Sequence, residues 1–218
     1  NLMSRIISVV NQKGGVGKST LCRMVATVYG ASGWRVKIAD TDTKQGTCTD
    51  WKRRREDNSI EPIVYVEPFR RIDDAIRNAN DYDMLIFDGA PHSTESTASI
   101  ARHSDLVILP TSDSIDSLRP TVLLAHELVQ KGIPKNRIVF ALCMVSDSYS
   151  LIEEARTYIN QAGYEILTGE IPIRTGFVRA HETGRSLTEA THPSLREKAE
   201  KLAESLVAQI SKMQKGEK

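Results

Sequence analysis

Residues 4–20 have the sequence SRIISVVNQKGGVGKST, and this stretch decides the fold. The apolar residues 6–10 predict a buried strand, and the residues from Leu21 onward have apolar side chains at helical spacing. Between them, glycines allow backbone N–H groups to surround an anion, and the helix N-terminus contributes a positive dipole. The order of strand, glycine-rich loop and helix therefore predicts a phosphate-binding loop.

Two lysines of this loop have different predicted tasks. Lys18 should reach the β- and γ-phosphates of a nucleotide, and the neighbouring Ser19 hydroxyl should bind Mg²⁺. The strict pattern G-x-x-x-x-G-K-[ST] is broken at its first glycine, which falls on Gln12. Lys13 stands at the start of the loop, where its ammonium could reach phosphates presented by a facing copy of the chain, so hydrolysis would require a dimer. The predicted nucleotide-binding residues of the loop are Gly14, Gly15, Val16, Gly17, Lys18, Ser19 and Thr20.

The segment NQKGGVGKST (residues 11–20) resembles the deviant Walker-A ATPases and is similar to the ParA/MinD group almost letter for letter. The resemblance extends over about residues 5–210. It implies a Mg²⁺-dependent ATPase in which Lys13 is the signature lysine of a dimer that encloses two ATP molecules. The choice of ATP over GTP follows from this resemblance alone.

Three carboxylates are predicted at the edge of the sheet where the strands end. Asp40 and Asp42 follow the second predicted strand, and Asp88 follows the apolar residues 84–87. Acids at this position can organise Mg²⁺ and the attacking water, with Asp88 binding the metal through water. The resemblance implies that Asp42 positions the water and Asp40 supports the metal site. A strand-end aspartate that caps the next helix is the alternative for either acid alone.

Departures from the family pattern occur at two places. Residues 43–46, TKQG, replace the P-Q-G that usually follows the two acids. Cys143 stands where many relatives carry an asparagine for the purine ring. Pro172 and Arg174, in the sequence IPIR, resemble the proline-containing loop that packs against the base.

Short apolar runs alternate with helical patterns along the chain. The runs are residues 6–10, 36–39, 63–66, 84–87, 106–109 and 138–145, and they predict parallel strands buried on both faces. The fold class is therefore α/β, a doubly wound, mostly parallel sheet flanked by helices, in one domain over residues 1–218. A last helix at about residues 194–213 should dock on the sheet. Residues 1–3 are interpreted as an added start, and residues 214–218 are expected to fray.

Composition excludes several classes of protein. The 29 basic and 28 acidic residues give a net charge of +1, so no global field indicates nucleic acid or membrane. The longest apolar run has eight residues (138–145), which is too short for a transmembrane helix. Three cysteines without a C-x-x-C pair argue against disulfides, zinc or an iron–sulfur cluster. A cytoplasmic location is therefore expected.

The sequence predicts the macromolecular partner less directly than it predicts the ATPase site. ParA-type relatives bind double-stranded DNA nonspecifically as ATP dimers and associate with the nucleoid, whereas others position protein cargos there or act at membranes. From Arg174 onward there are nine basic and six acidic residues. The DNA-binding candidates are Arg179, Arg185, Lys198 and Lys201, although a solvated helix face explains the charges of residues 198–204 as well.

The sequence also bears on a protein partner and on membrane binding. About ten residues precede Asn11, so a separate centromere-binding, ParB-like partner is expected to recognise specific sites. Residues 212–218 lack amphipathic anchors, so no membrane binding is expected. The basic run of residues 52–55 could contact phosphates or a partner, but an exposed, solvated face is the favoured interpretation.

Overall fold

The computed structural model describes residues 4–42, 47–89 and 93–215. Within these residues, seven strands form one parallel sheet in the order β3-β2-β4-β1-β5-β6-β7. The strands are β1 (Arg5–Val9), β2 (Val36–Asp40), β3 (Tyr65–Pro68), β4 (Met84–Asp88), β5 (Leu106–Thr111), β6 (Ile138–Val145) and β7 (Glu165–Pro172). The chain runs outward from the central β1 first to one side and then to the other, so the predicted doubly wound α/β sheet is confirmed.

Helices cover both faces of the sheet. They are α1 (Lys18–Ala31), α2 (Thr47–Asp57), α3 (Ile72–Arg77), α4 (Thr94–Arg102), α5 (Ile115–Gln130), α6 (Tyr149–Gln161), α7 (Thr175–Glu182) and α8 (Pro193–Lys215). One apolar core contains Leu21, Trp51, Phe177 and Leu202, so α1, α2, α7 and α8 share a face. The other core contains side chains of α3 to α6. The phosphate loop leaves β1 between these two layers.

The predicted last helix is present, and it packs directly on β7. Leu202, Leu206 and Ile210 of α8 are buried. Gly169 of β7 has a φ of 87°, and a Cβ added there would lie 2.9 Å from the backbone nitrogen of Leu202. Only glycine allows this close approach of helix and strand. Residues 214 and 215 belong to α8, two residues into the tail that was expected to fray.

At the edges of the sheet, one strand prediction was wrong and one strand was missed. Residues 63–66 were expected to be buried on both faces, but Ile63 precedes β3 and is 60% exposed, and Tyr65 is exposed too. Within the described residues β3 pairs with β2 alone and forms an edge of the sheet. β7 was not predicted, because Glu165, Thr168 and Glu170 interrupt its apolar pattern.

Some sequence predictions concern residues outside the described ranges. They are the start at residues 1–3, the TKQG segment at 43–46, and the tail at 216–218.

Candidate nucleotide site

The loop between β1 and α1 has the backbone shape of an anion cradle. Gly15 and Gly17 have φ angles of 71° and 101°, which side chains other than glycine rarely adopt. A Cβ on Gly17 would also lie 3.0 Å from the Cβ of the buried Cys143. Cys143 therefore packs beneath the loop and supports it from the end of β6.

Asn11 fixes the first part of the loop. It is buried, and its Nδ2 donates to the Pro110 carbonyl at 2.9 Å and to Thr121 Oγ1 at 3.0 Å. Its Oδ1 accepts the backbone N–H of Lys13 at 3.0 Å. The end of β1 is thus held to β5 and α5 before the glycines begin, a role the sequence did not reveal.

A cavity of about 310 Å³ opens over this loop. Its lining joins the loop to the ends of β2 and β4, to the start of α2 and to the end of β6. Val16 is buried and does not line it. The lining residues are Gly14, Gly15, Gly17, Lys18, Ser19, Thr20, Asp42, Thr47, Asp88, Gly89 and Met144.

The side chains of Lys18 and Lys13 point in different directions. Lys18 lines the cavity, and its Nζ donates to the Lys13 carbonyl at 2.8 Å, which closes the loop. Burial lowers the pKa of Lys18, and the carboxylate of Asp88 acts in the opposite sense. Lys13 is exposed, and its Nζ donates to the backbone carbonyl of Asp116 in α5 at 3.1 Å. Its ammonium is therefore directed away from the cavity of its own chain.

Ser19 and Asp88 form the centre of a candidate metal site. The Ser19 hydroxyl donates to Asp88 Oδ2 at 2.6 Å and lies 3.1 Å from Thr47 Oγ1. The Cys48 thiol donates to the same Asp88 oxygen at 3.1 Å. Burial raises the pKa of Asp88, while hydrogen bonds from Ser19 and Cys48 oppose that shift.

This donor set fits Mg²⁺. A hydroxyl and a carboxylate are the hard oxygen ligands that Mg²⁺ takes, with phosphate oxygens and water completing the shell. Among the described residues, no three histidine, cysteine or acidic side chains are grouped as a self-contained metal site. The site therefore suits a metal that arrives with a nucleotide.

Asp40 and Asp42 occupy different environments. Asp40 is fully buried and does not line the cavity. Its Oδ1 accepts the backbone N–H of Asp42 at 3.1 Å, and its Oδ2 accepts the Thr49 hydroxyl at 3.4 Å. Burial, and then the charge of Asp88, raise the pKa of Asp40 to about 6. Asp42 is half-buried and lines the cavity, so Asp40 supports the acid that reaches it.

The predicted base contacts are not part of this cavity lining. Pro172 is buried beside Val145, and Arg174 forms an ion pair with Asp147 while its Nη1 donates to the Ile173 carbonyl at 2.7 Å. Met144, which the sequence did not suggest, lines the cavity instead. Its φ of 56° and the register shift between Cys143 and Val145 interrupt the regular pairing of β6 at this residue. No local sequence signal indicates such an irregularity.

The basic candidates are placed on two helices and one turn. Arg179 is exposed on α7, and Arg185 is half-buried in the following turn, where its Nη1 donates to Thr183 Oγ1 at 3.2 Å. Lys198 and Lys201 are exposed on α8.

The basic run of residues 52–55 is not an exposed face as a whole. The side chain of Arg55 is 2% exposed and binds both carboxylate oxygens of Glu189, at 2.7 and 2.9 Å. Arg54 donates to the His181 carbonyl, and Lys52 pairs with Glu56. The prediction was wrong for Arg55, because α2 packs against the chain around Gly184 and buries that side of the helix.

A parallel sheet, a glycine-rich loop between its central strand and α1, and acids at the adjoining strand ends define a P-loop nucleotide-binding protein. Residues 7–187 match the family described as the CobQ/CobB/MinD/ParA nucleotide binding domain, and the chain belongs to this family. This agrees with the resemblance found in residues 11–20.

The sequence identity to individual relatives is low. The chain is 25% identical, over 179 residues, to the maintenance of carboxysome distribution protein A of Gloeobacter kilaueensis, covering 82% of this chain and 78% of that one. It is 24% identical, over 212 residues, to the chromosome partitioning protein ParA of Myxococcus xanthus, covering 76% and 75%. A solved Borrelia burgdorferi protein described as a plasmid partition protein, with AMPPNP bound, has a TM-score of 0.73 at 16% identity and covers 94% of this chain and 99% of that one. That likeness shows the shared fold.

None of the helices in the described part of the chain combines the length and the apolar character needed to cross a bilayer.

Proposed function

We propose that this chain is a Mg²⁺-dependent ATPase of the ParA type. Two copies would enclose two ATP molecules, and this dimer would bind double-stranded DNA nonspecifically to partition a plasmid or chromosome. The observation that carries the proposal is the cavity shared by Lys18, Asp42 and Asp88, from which Lys13 points away. The family relationship supports the same choice of chemistry.

The residues of the cavity would divide the work. The loop N–H groups and Lys18 would hold the phosphates, while Ser19 and Asp88 would hold Mg²⁺. When bound, Mg²⁺ supplies positive charge that offsets the charge of the phosphate oxygens. Asp42 would orient the attacking water. Asp42 is itself held in place because its backbone N–H donates a hydrogen bond to the buried Asp40.

The partner copy would complete the site. Lys13 is exposed and rests on a backbone carbonyl that it can leave without breaking an ion pair. Its ammonium would then reach the phosphates bound by the other copy and stabilise charge in the transition state. Hydrolysis, accelerated by a separate ParB-like protein at the centromere, would end DNA binding and free the chain from the nucleoid.

A second candidate function is the positioning of a protein cargo over the nucleoid. It is favoured by the relative named for carboxysome distribution, which covers 82% of this chain. This function uses the same ATPase cycle and the same DNA binding, and differs only in what the ATPase moves. A membrane-associated, MinD-like role has no comparable support from the described residues.

The test is binding to unrelated duplex DNA with ATP, with ADP and without nucleotide, using Asp42→Ala to hold the ATP state. Binding confined to the ATP state supports both candidate functions. If dimers form with ATP but bind no DNA, both candidate functions are rejected, while the proposal that the chain is an ATPase still stands. Pull-down with a centromere-binding protein or with a cargo adaptor from the same operon then separates the two candidates.

The DNA surface is tested separately. Arg179→Ala combined with Arg185→Ala should weaken DNA binding and lower the slope of log affinity against log salt by about two, because each phosphate contact contributes about 0.9. Arg77→Ala combined with Arg102→Ala removes two exposed charges from α3 and α4 and serves as the control. If both pairs behave alike, the DNA surface lies elsewhere.

A further inference from the structure

Arg23 is an unusual side chain in the middle of α1. It is 7% exposed, and no carboxylate of the described residues lies within ion-pair distance of its guanidinium. Its Nε has no hydrogen-bond partner among those residues. Asp88 attracts Arg23 electrostatically from beyond ion-pair distance. A buried arginine with only a distant counter-charge is costly, so the contacts that Arg23 does make need a reason. Its guanidinium lies 5.5 Å from the ring centre of Trp51.

One contact of Arg23 leads to the nucleotide cavity. Its Nη2 donates to the carbonyl of Thr47 at 2.7 Å. Thr47 begins α2 and lines the cavity, and its hydroxyl lies 3.1 Å from that of Ser19. Arg23 follows Ser19 by one helical turn, so both side chains lie on the same face of α1. Arg23 therefore fixes the residue that touches the predicted Mg²⁺ ligand.

The other contact of Arg23 leads to α7. Its Nη1 lies 3.3 Å from Nδ1 of His181. Arginine can only donate, so Nδ1 accepts and the hydrogen of the neutral ring is on Nε2. That nitrogen is buried and has no partner within the described residues. Burial and the charges of Arg23 and Arg54 lower the pKa of His181 to about 3, so the ring is neutral at pH 7.

Side chains of α2 and of Asn58, which follows it, hold the end of α7 and the turn after it. Four carbonyls accept hydrogen bonds there: those of His181, Thr183, Gly184 and Arg185, from Arg54, Asn58, Arg55 and Trp51 respectively. A Cβ on Gly184 would lie 2.3 Å from the backbone nitrogen of Arg55, so the two backbones are in direct contact. Because so many contacts join them, α2 and residues 181–185 should move together.

We propose that Arg23 is a positioning residue that couples nucleotide binding at Ser19 and Thr47 to α7. This inference rests on the proposed function and deepens it. A metal held by Ser19 and Asp88 would replace the hydrogen bond between these two residues, and Thr47, whose hydroxyl lies 3.1 Å from that of Ser19, would adjust. Arg23 and α2 carry that adjustment to α7 and the turn, which present Arg179 and Arg185 at the surface.

Hydrogen exchange of the full chain tests the coupling. The probe is AMPPNP with Mg²⁺, and the peptides of interest cover residues 175–189. In the wild-type chain the probe should change the hydrogen-exchange rates of these peptides roughly fivefold or more. Fivefold is the lower end of the range for coupled sites. In Arg23→Met this change should fall below about twofold, with AMPPNP affinity within about threefold of wild type, because Arg23 does not line the cavity.

Two further variants separate coupling from general destabilisation. Arg156→Met removes a half-buried arginine of α6 that also binds carbonyl groups, and it should leave the response at residues 175–189 unchanged. His181→Leu removes the direct contact between Arg23 and α7 but keeps the contacts from α2 to the backbone of residues 181–185. It should therefore reduce the response, and it decides the matter if Arg23→Met does not fold.

The outcomes distinguish this inference from the proposed function. A normal response in Arg23→Met or His181→Leu, or an equal loss in Arg156→Met, overturns the coupling. A wild-type chain that binds AMPPNP without any change at residues 175–189 overturns the coupling alone. A wild-type chain that does not bind AMPPNP overturns both the coupling and the proposed ATPase.

Discussion

The hydroxyl of Ser19 donates a 2.6 Å hydrogen bond to Oδ2 of Asp88, although the two residues are 69 positions apart. Ser19 lies in the first turn of α1, and Asp88 ends β4. β1 pairs with β4 so that Val9 stands opposite Asp88, and the loop from β1 then brings Ser19 over that strand end. The register of the sheet therefore builds the candidate metal site.

Lys18→Ala should abolish nucleotide-dependent behaviour. The variant loses a charged donor that lines the cavity, and such hydrogen bonds contribute roughly 1.5–3 kcal/mol, so ATP affinity should fall about 10- to 100-fold. Isothermal titration with ATP and Mg²⁺ measures this. Lys198→Ala, an exposed lysine on α8, is the control. Unchanged ATP affinity in Lys18→Ala would remove the phosphate-loop assignment.

Lys13→Ala should spare ATP binding and impair turnover. Its ammonium does not line the cavity of its own chain, and trans-acting cations of this kind contribute roughly 10³-fold or more to phosphoryl transfer. Steady-state turnover and sedimentation with ATP give the readout. Asp116→Ala is a matched control, since Lys13 contacts only the backbone carbonyl of that residue. Normal turnover and dimerisation in Lys13→Ala would contradict the proposed role.

Glu189→Gln should destabilise the fold. Arg55 is 2% exposed, and the substitution leaves its guanidinium buried without a counter-charge, which costs about 3–5 kcal/mol. Urea unfolding measures the loss. Glu95→Gln breaks exposed contacts to Arg102 and Lys131 and should change the stability much less, because solvent screens exposed ion pairs. Equal effects of the two variants would show that the buried pair has no special importance.

The ionisation of Asp40 should make the nucleotide-free chain less stable as the pH rises. Its pKa is raised from 3.8 to about 6 by burial, so the folded state favours the protonated acid. This stabilisation is complete below pH 4 and is lost as the pH rises through 6, a change on the order of 3 kcal/mol. The measurement is the free energy of unfolding at pH 4 to 7.5 for the wild type minus that for Asp40→Asn.

His181 titrates with the opposite sign over part of this range. Its pKa is lowered from 6.5 to about 3, so its contribution to stability is lost as the pH falls below 6.5. His181 is present in both the wild type and Asp40→Asn, so its effect cancels when one free energy of unfolding is subtracted from the other. A pH-independent difference between wild type and Asp40→Asn would contradict the prediction for Asp40.

The fold was predictable where the sequence pattern is local. Residues 138–145 were predicted as a strand with the bounds that β6 has. The edge strands were harder, since β3 and β7 each pair with one neighbour and expose polar side chains that break the apolar pattern. Arg55 shows the same limit for charged residues, because its burial depends on a segment about 130 positions away.

By itself the sequence determined the phosphate loop and the class of fold, because a strand, a run of glycines and a helix that follow one another fix their own backbone geometry. Tertiary structure alone decided that Asp42 reaches the cavity while Asp40 is buried behind it. It also decided that Arg23 joins Thr47 to His181. These relationships depend on strand register and helix packing between distant segments, which no local pattern of residues specifies.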